Sequence, residues 1–194
     1  NPLSMAVRPI VTYNDPILTQ VAIPVSKDMV ELGVFIADMF ETMDHAKGLG
    51  LAAPQVGQSI RLFVMDADGL DEENPADSTP IGRRVVINPE IISESQETVT
   101  FEEGCLSLPE LRDQVSRANE VTVRFQDEHF AFHEMTLRGW TARVFLHEYD
   151  HLEGILFIDR ISAFKRALHK TRLASINANE VDAGYEIAPK PSNS

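Results

Sequence analysis

His147-Glu148-Tyr149-Asp150-His151 spells H-E-x-x-H, a spacing with chemistry in it. On an α-helix of 3.6 residues per turn, residues four apart stack on one face, so both imidazoles can reach a single metal ion. Glu148 projects about 60° round from His151, over the same site, where its carboxylate could take a proton from a metal-bound water. Two histidines do not complete a site. A structural ion wants four protein ligands, whereas a catalytic one takes three and keeps a position open for water. By residue type the third ligand is open between Cys105 and the remaining histidines, His45, His129, His133 and His169. Cys105 is the chain's one cysteine, in the glycine-containing segment Glu103-Gly104-Cys105-Leu106-Ser107. A lone cysteine is ordinarily a buried structural thiol. Beside a motif short of one ligand, ligation is the favoured reading.

A second unusual stretch is Gly48-Leu49-Gly50-Leu51-Ala52-Ala53-Pro54-Gln55-Val56-Gly57. Alternating glycines followed by two alanines describe a backbone that something approaches closely. A phosphate-binding loop would need G-K-[ST] or the third glycine of G-x-G-x-x-G, and neither is present. A tight packing turn competes with a substrate-approach role when this stretch is taken alone.

These residues need a scaffold. The H-E-x-x-H segment belongs to an amphipathic helix from about Trp140 to Glu153, introduced by Gly139 and ended by Gly154 as its C′ residue. Upstream, Ser26 is placed to N-cap a helix from about Lys27 to Ala46, whose apolar residues recur at helical spacing. Ile60 to Met65 reads as a strand, Asp66 to Gly82 as an acidic exposed loop, and Arg84 to Asn88 and Glu90 to Ser93 as two strands separated by Pro89. Glu120 to Gln126 and Phe130 to Leu137 form a hairpin turning at Asp127-Glu128, with a bulge near His133-Glu134. Ile155 to Ile158 reads as a short strand and Ser162 to Ser175 as a helix. Strands followed by helices, without repeating βαβ units, indicate an α+β fold. Mixed or antiparallel sheets would pack around the central H-E-x-x-H helix, with one N-terminal and one C-terminal helix.

At 194 residues the chain is long enough for one well-cored domain, placed at 5–176. Residues 177–194, with small polar residues and prolines, are expected to form a loosely ordered tail. Asn1-Pro2-Leu3-Ser4 before Met5 resembles a processing remnant and is left out of fold reasoning. With 17 basic and 30 acidic residues the net charge is -13, which argues against a nucleic-acid or anionic-membrane surface. The one basic concentration, Lys165 to Arg172, reads as a solvated helix face. A single cysteine allows no internal disulfide and suits a reducing compartment. No run of 18 apolar residues and no signal-peptide pattern is present, so neither membrane insertion nor secretion is supported.

Taken together, the glycine-rich stretch, Glu103-Gly104-Cys105-Leu106-Ser107 and H-E-x-x-H resemble, in order and spacing, the three motifs of the peptide deformylases. The resemblance runs from about Ile10 to Ile161 and takes in Asn88-Pro89 and His151-Leu152-Glu153-Gly154-Ile155-Leu156-Phe157. It implies a hydrolase that removes the N-formyl group from the formyl-methionine of newly synthesised polypeptides. Cys105, His147 and His151 match that family's metal ligands, one divalent ion per chain, with Fe(II) expected and Zn, Ni or Co as replacements. Glu148 matches the general base that activates the metal-bound water, and Gln55 with the backbone N–H of Leu106 matches the oxyanion donors.

The resemblance also implies that the substrate peptide adds as a strand beside Gly48 and Gly50, its methionine entering an apolar pocket assigned here to Leu108, Trp140 and Val144. Of Arg112 and Arg117, one is expected to face the peptide and the other to pair with Glu103 or Asp150, and Arg112 is taken as the substrate-facing one. The partners implied are N-formylmethionyl nascent peptides, with transient ribosome association, in the bacterial cytoplasm or an organelle. Two positions depart from the family pattern: Leu146 stands where glutamine is most frequent, and Arg143 where some members carry an apolar residue.

Overall fold

The computed structural model describes residues 6–68 and 77–192. In chain order the elements are α1 (Leu32–His45), β1 (Gly50–Ala52), β2 (Leu62–Met65), β3 (Arg84–Glu94), β4 (Thr98–Cys105), β5 (Leu108–Ala118), β6 (Glu120–Gln126), β7 (Phe132–Arg138), α2 (Gly139–Leu152), α3 (Ala163–Leu168) and α4 (Lys170–Asn177). Five strands form an antiparallel sheet in the order β1-β2-β3-β6-β7, and β4 and β5 form a separate hairpin. The class is α+β, with α2 at the centre.

Period-2 geometry explains why β2 is apolar at every position. Phe63 and Met65 face α2, packing with Val86, Val123, Phe125, Phe145 and Leu152, while Leu62 and Val64 face α1 and its Phe35, Met39 and Met43. The sheet is thus covered on both sides. A third cluster joins Leu108, Leu111 and Val115 of β5 to Leu156, Phe157, Leu173 and Ile176. α2 lies between the sheet and the hairpin, and it is buried on nearly all of its faces rather than one. Its polar residues therefore need partners inside the protein.

The ends of α2 are held from a distance. Trp140 N–H donates to Ser78 Oγ at 2.9 Å and Thr141 Oγ1 to the Thr79 carbonyl at 2.5 Å, so the end of the acidic loop closes the helix N-terminus. Residues 69–76 of that loop lie outside the described residues. At the other end Gly154 adopts φ +73, and a Cβ there would lie 2.6 Å from the Thr19 carbonyl. Only glycine fits that position.

Several expectations need correction. α1 starts at Leu32 rather than Lys27: Glu31 is left-handed at φ 60, and Ser26 Oγ accepts from Asp28 N–H within a preceding turn. Arg84 to Ser93 is one strand, in which Asn88 at φ 49 and Pro89 make a register shift instead of a break. β6 and β7 pair without a shift from Glu120↔Arg138 to Gln126↔Phe132, so there is no bulge at His133-Glu134. Phe132 simply faces outward, under the Arg124 guanidinium. Residues 157–159 form a 3-10 turn and not a strand, and the expected C-terminal helix is broken at His169 into α3 and α4. The long strand β5 was not anticipated. Residues 178–192, expected as a loose tail, run back along the N-terminal segment, with Ile187 pairing in parallel to Ile10.

Candidate metal centre and its cleft

α2 presents His147 and His151 edge to face, ring centroids 5.1 Å apart. The β4–β5 turn brings Cys105 to them, its Sγ 3.4 Å from His151 Nε2. One ligand atom from each of Cys105, His147 and His151 lies within 4.8 Å of the other two. The other histidines are engaged elsewhere or exposed. His133 sits on Asp127 and His169 on Asp113, both at 2.7 Å, and His129 is exposed at the hairpin tip.

Behind the cluster stands a buried charged network centred on Glu103. Its carboxylate accepts from His147 Nδ1 at 2.8 Å, from Arg117 at 2.7 and 3.0 Å, and from Arg143 at 2.6 Å. With Nδ1 occupied, Nε2 is the nitrogen His147 can offer to an ion. Arg117 also reaches Asp150 at 2.7 Å, and Arg160 braces Asp150 from outside at 2.5 and 2.7 Å. Burial opposes charge on Glu103, but the hydrogen bonds from His147 and Arg117 outweigh it and hold the carboxyl well below the usual range. Burial likewise opposes charge on His147, yet Cys105 and Glu103 hold that imidazole well above its ordinary value. His151 goes the other way: burial and then the neighbouring His147 charge hold its imidazole well below the ordinary value.

Glu148 is buried beside the cluster, Oε1 4.0 Å from His151 Nε2, and Oε2 has no hydrogen-bond partner among the described residues. Burial pushes its carboxyl up to about 7, with the His147 charge pulling the other way. Gly50 explains how it fits: a Cβ there would lie 2.8 to 3.0 Å from Glu148 Cγ, Cδ and Oε2. A Cβ on Gly48 would meet Leu106 Cδ1 at 2.9 Å. The two glycines are thus close-approach positions. β1, which contains Gly50, is an edge strand of the five-stranded sheet.

Gln55 is buried in the 3-10 turn after β1. Its Oε1 accepts from Ala52 N–H at 2.9 Å, and its Nε2 donates to Ser107 Oγ at 3.0 Å and lies 3.6 Å from Cys105 Sγ. Ser107 Oγ in turn donates to the Val11 carbonyl at 2.6 Å. A cleft of about 520 Å³ opens over these groups and is lined by Gly48, Gly50, Leu106, Leu108, Trp140 and Val144 among others. Trp140 stacks on Phe101, centroids 4.5 Å apart. Arg112 lies at the rim, paired with Glu102 at 2.8 Å, while Arg117 is the buried member of the two arginines. Leu146 packs in the core beneath α2, and Arg143 binds Glu103 and the carbonyls of Val115 and Val99.

Ser107 was inside a quoted motif without being singled out, and Glu103 proves to be a hub rather than one end of a pair. Tyr185, whose O–H donates to the Leu106 carbonyl at 2.6 Å, carried no signal in the sequence.

One thiol and two imidazoles converging beside a buried carboxylate, at the floor of a cleft, form the kind of donor set that metal-dependent hydrolases use. The sequence profile of the polypeptide deformylase family matches residues 7–167. The chain is 49% identical over 169 residues to the peptide deformylase of Acidobacterium capsulatum, covering 87% of this chain and 95% of the relative. It is 41% identical over 186 residues to that of Christiangramia forsetii, covering 93% and 95%. Among solved structures, a peptide deformylase from Legionella pneumophila superposes with a TM-score of 0.78 at 39% identity, over 90% of this chain and 98% of that one. One from Ehrlichia chaffeensis in complex with actinonin gives 0.79 at 36% identity, over 91% and 99%. The chain belongs to the polypeptide deformylase family. It is a hydrolase of protein biosynthesis that removes the N-formyl group from nascent polypeptides. Among the described residues no helix is long and apolar enough to cross a membrane.

Proposed function

We propose that Cys105, His147 and His151 hold one divalent metal ion and that Glu148 is the general base, then general acid, of deformylation. The observation that carries this reading is the convergence of the three ligand atoms beside the buried Glu148 carboxylate. Fe(II) is the expected ion, with Zn, Ni or Co as replacements, since a thiolate with two imidazoles suits all of them. A divalent ion held there supplies Lewis acidity and lowers the pKa of the attacking water from 15.7 towards about 7.

Glu148 takes a proton from the water as its oxygen attacks the formyl carbon, and returns it to the methionine nitrogen as the carbon–nitrogen bond breaks. Formate and a free amine leave. The negative charge that develops on the formyl oxygen is met by the Leu106 backbone N–H and by Gln55. The Gln55 amide has two N–H groups: Ser107 takes one, and the other makes a long bond of 3.6 Å to Cys105 Sγ, which a developing oxyanion on the cleft side would replace. Each such donor is worth about 3–4 kcal/mol of barrier.

The nascent peptide adds along the free edge of β1 at Gly50 and of the segment before it at Gly48, and its methionine side chain enters the cleft among Leu108, Trp140 and Val144. Arg112, exposed at the rim, faces the peptide. On this reading the protein works in the bacterial cytoplasm or an organelle, with transient ribosome association.

Glu148→Gln tests the core of the reading. Metal content and fold are expected to persist while turnover of formyl-Met-Ala-Ser falls by more than about 100-fold. Unchanged turnover would remove Glu148 as the base, and cleavage of internal peptide bonds in acetylated or unblocked peptides without deformylation would point to an endopeptidase instead. Cys105→Ser is expected to lose metal on dialysis, as measured by elemental analysis after anaerobic purification. Full occupancy would contradict its place as a ligand.

A further inference from the structure

The family match ends at residue 167, yet the chain beyond α4 returns to the cleft. Gly184 turns it, at φ +75, with its N–H on Asp182 Oδ1 at 3.1 Å. Ala183 and Tyr185 then line the cleft wall. Past Tyr185 the segment is anchored on the N-terminal strip: Ile10 N–H donates to the Glu186 carbonyl at 2.9 Å, Ala188 N–H to the Ile10 carbonyl at 2.8 Å, and Lys190 Nζ reaches Thr12 Oγ1.

The strip has two edges, as alternation along extended backbone requires. Ile10 points its N–H and carbonyl at the tail. Val11 points the opposite way, its N–H to the Gln55 carbonyl at 2.8 Å and its carbonyl to Ser107 Oγ. Tyr13 N–H adds a bond to the Ser107 carbonyl at 2.9 Å. The strip thus ties the turn after Cys105 at Ser107. Leu106, the residue between, is tied by the tail: its carbonyl accepts the Tyr185 O–H at 2.6 Å.

We propose that Tyr185 is a positioning residue for deformylation, its hydroxyl fixing the Leu106 carbonyl so that the Cys105-Leu106 peptide holds its N–H towards the developing oxyanion. A hydroxyl bound to that carbonyl restricts the rotation about Leu106 that would swing the neighbouring peptide planes. The tail is the strut that delivers it. This proposal rests on Leu106 and Gln55 being the oxyanion donors.

Tyr185→Phe, in the full-length metal-loaded enzyme, removes one oxygen and leaves the ring packing. Turnover of formyl-Met-Ala-Ser should drop about fivefold with KM changed by less than about twofold, the loss of one neutral hydrogen bond felt only in the transition state. The visible absorption of the cobalt-substituted variant should match that of the parent, since the ligands do not change. A kcat equal to that of the parent overturns the proposal, and so does a raised KM at unchanged kcat, which would put the phenol against the substrate instead. An altered cobalt spectrum also overturns it, because the tyrosine would then act on the ligand set. Gln55→Ala run alongside separates the layers. If it leaves kcat unchanged, the oxyanion reading fails and takes this proposal with it. If it lowers kcat while Tyr185→Phe does not, only the role of Tyr185 fails.

Discussion

On one wall of the cleft, α2 carries His147, Glu148 and His151, and the groups behind them are charged: Glu103, Arg117, Arg143, Asp150 and Arg160. On the other wall, the turn through Cys105, Leu106 and Ser107 is held by neutral bonds from Gln55, Val11, Tyr13 and Tyr185. The charged wall is built from segments 103–160, close around one helix. The neutral wall draws on both ends of the chain. A buried ionic network tolerates little loss, because removing one partner strands the others in low dielectric. Neutral ties can be cut one at a time, each at modest cost. The first wall should behave as a unit, the second as a set of separable struts.

The largest effect is expected on the charged wall. Glu103→Ala leaves two buried arginines and His147 without their common acceptor, and should lower unfolding free energy by about 3–5 kcal/mol in urea titration. A loss under about 1 kcal/mol would show that the network is not the unit described. Gly50→Ala comes next and works through geometry. Its methyl would have to displace the Glu148 carboxylate, so kcat should fall by about 10–100-fold with little change in melting temperature. Normal kcat would mean that Glu148 does not need its present position.

On the neutral wall, Ser107→Ala frees one Gln55 N–H and the Val11 carbonyl, both buried, and should cost about 1–3 kcal/mol of stability. If it costs as much as Glu103→Ala, the contrast between the walls fails. The smallest effect belongs to the rim. Arg112→Ala breaks an exposed pair with Glu102 and should change stability by less than about 0.5 kcal/mol. Its effect on KM for formyl-peptides tests whether it meets the substrate.

Legibility in the sequence follows the same division. The α2 helix and its motif could be read locally because 3.6-residue spacing alone puts His147 and His151 on one face. β5 was missed because Arg117 and Asp113 occupy positions on the face that also carries Leu111 and Val115, which breaks the alternation a strand normally shows. Arg117 can sit there only because Glu103 and Asp150 neutralise it, and nothing within β5 announces that. Ile155 to Ile158 illustrates the opposite error. Leu156, Phe157 and Ile158 are all buried against the third cluster, and a short apolar run does not say whether it is strand or turn.

By itself, the sequence determined the pair of histidines with its carboxylate, the two close-approach glycines and the turn that carries Cys105, because each depends on residue type and short spacing. Tertiary structure decided which side chain joins the histidines. Cys105 reaches His151 only because β5 folds back on β4, and the four competing histidines are led elsewhere or left at the surface. It also decided what holds the turn in place. Val11, Ser107 and Tyr185 are up to 174 residues apart in the chain and come together where the N-terminal strip and the tail both reach the turn after Cys105. Contacts of that range leave no periodic trace, since their partners are chosen by the fold and not by neighbours along the chain.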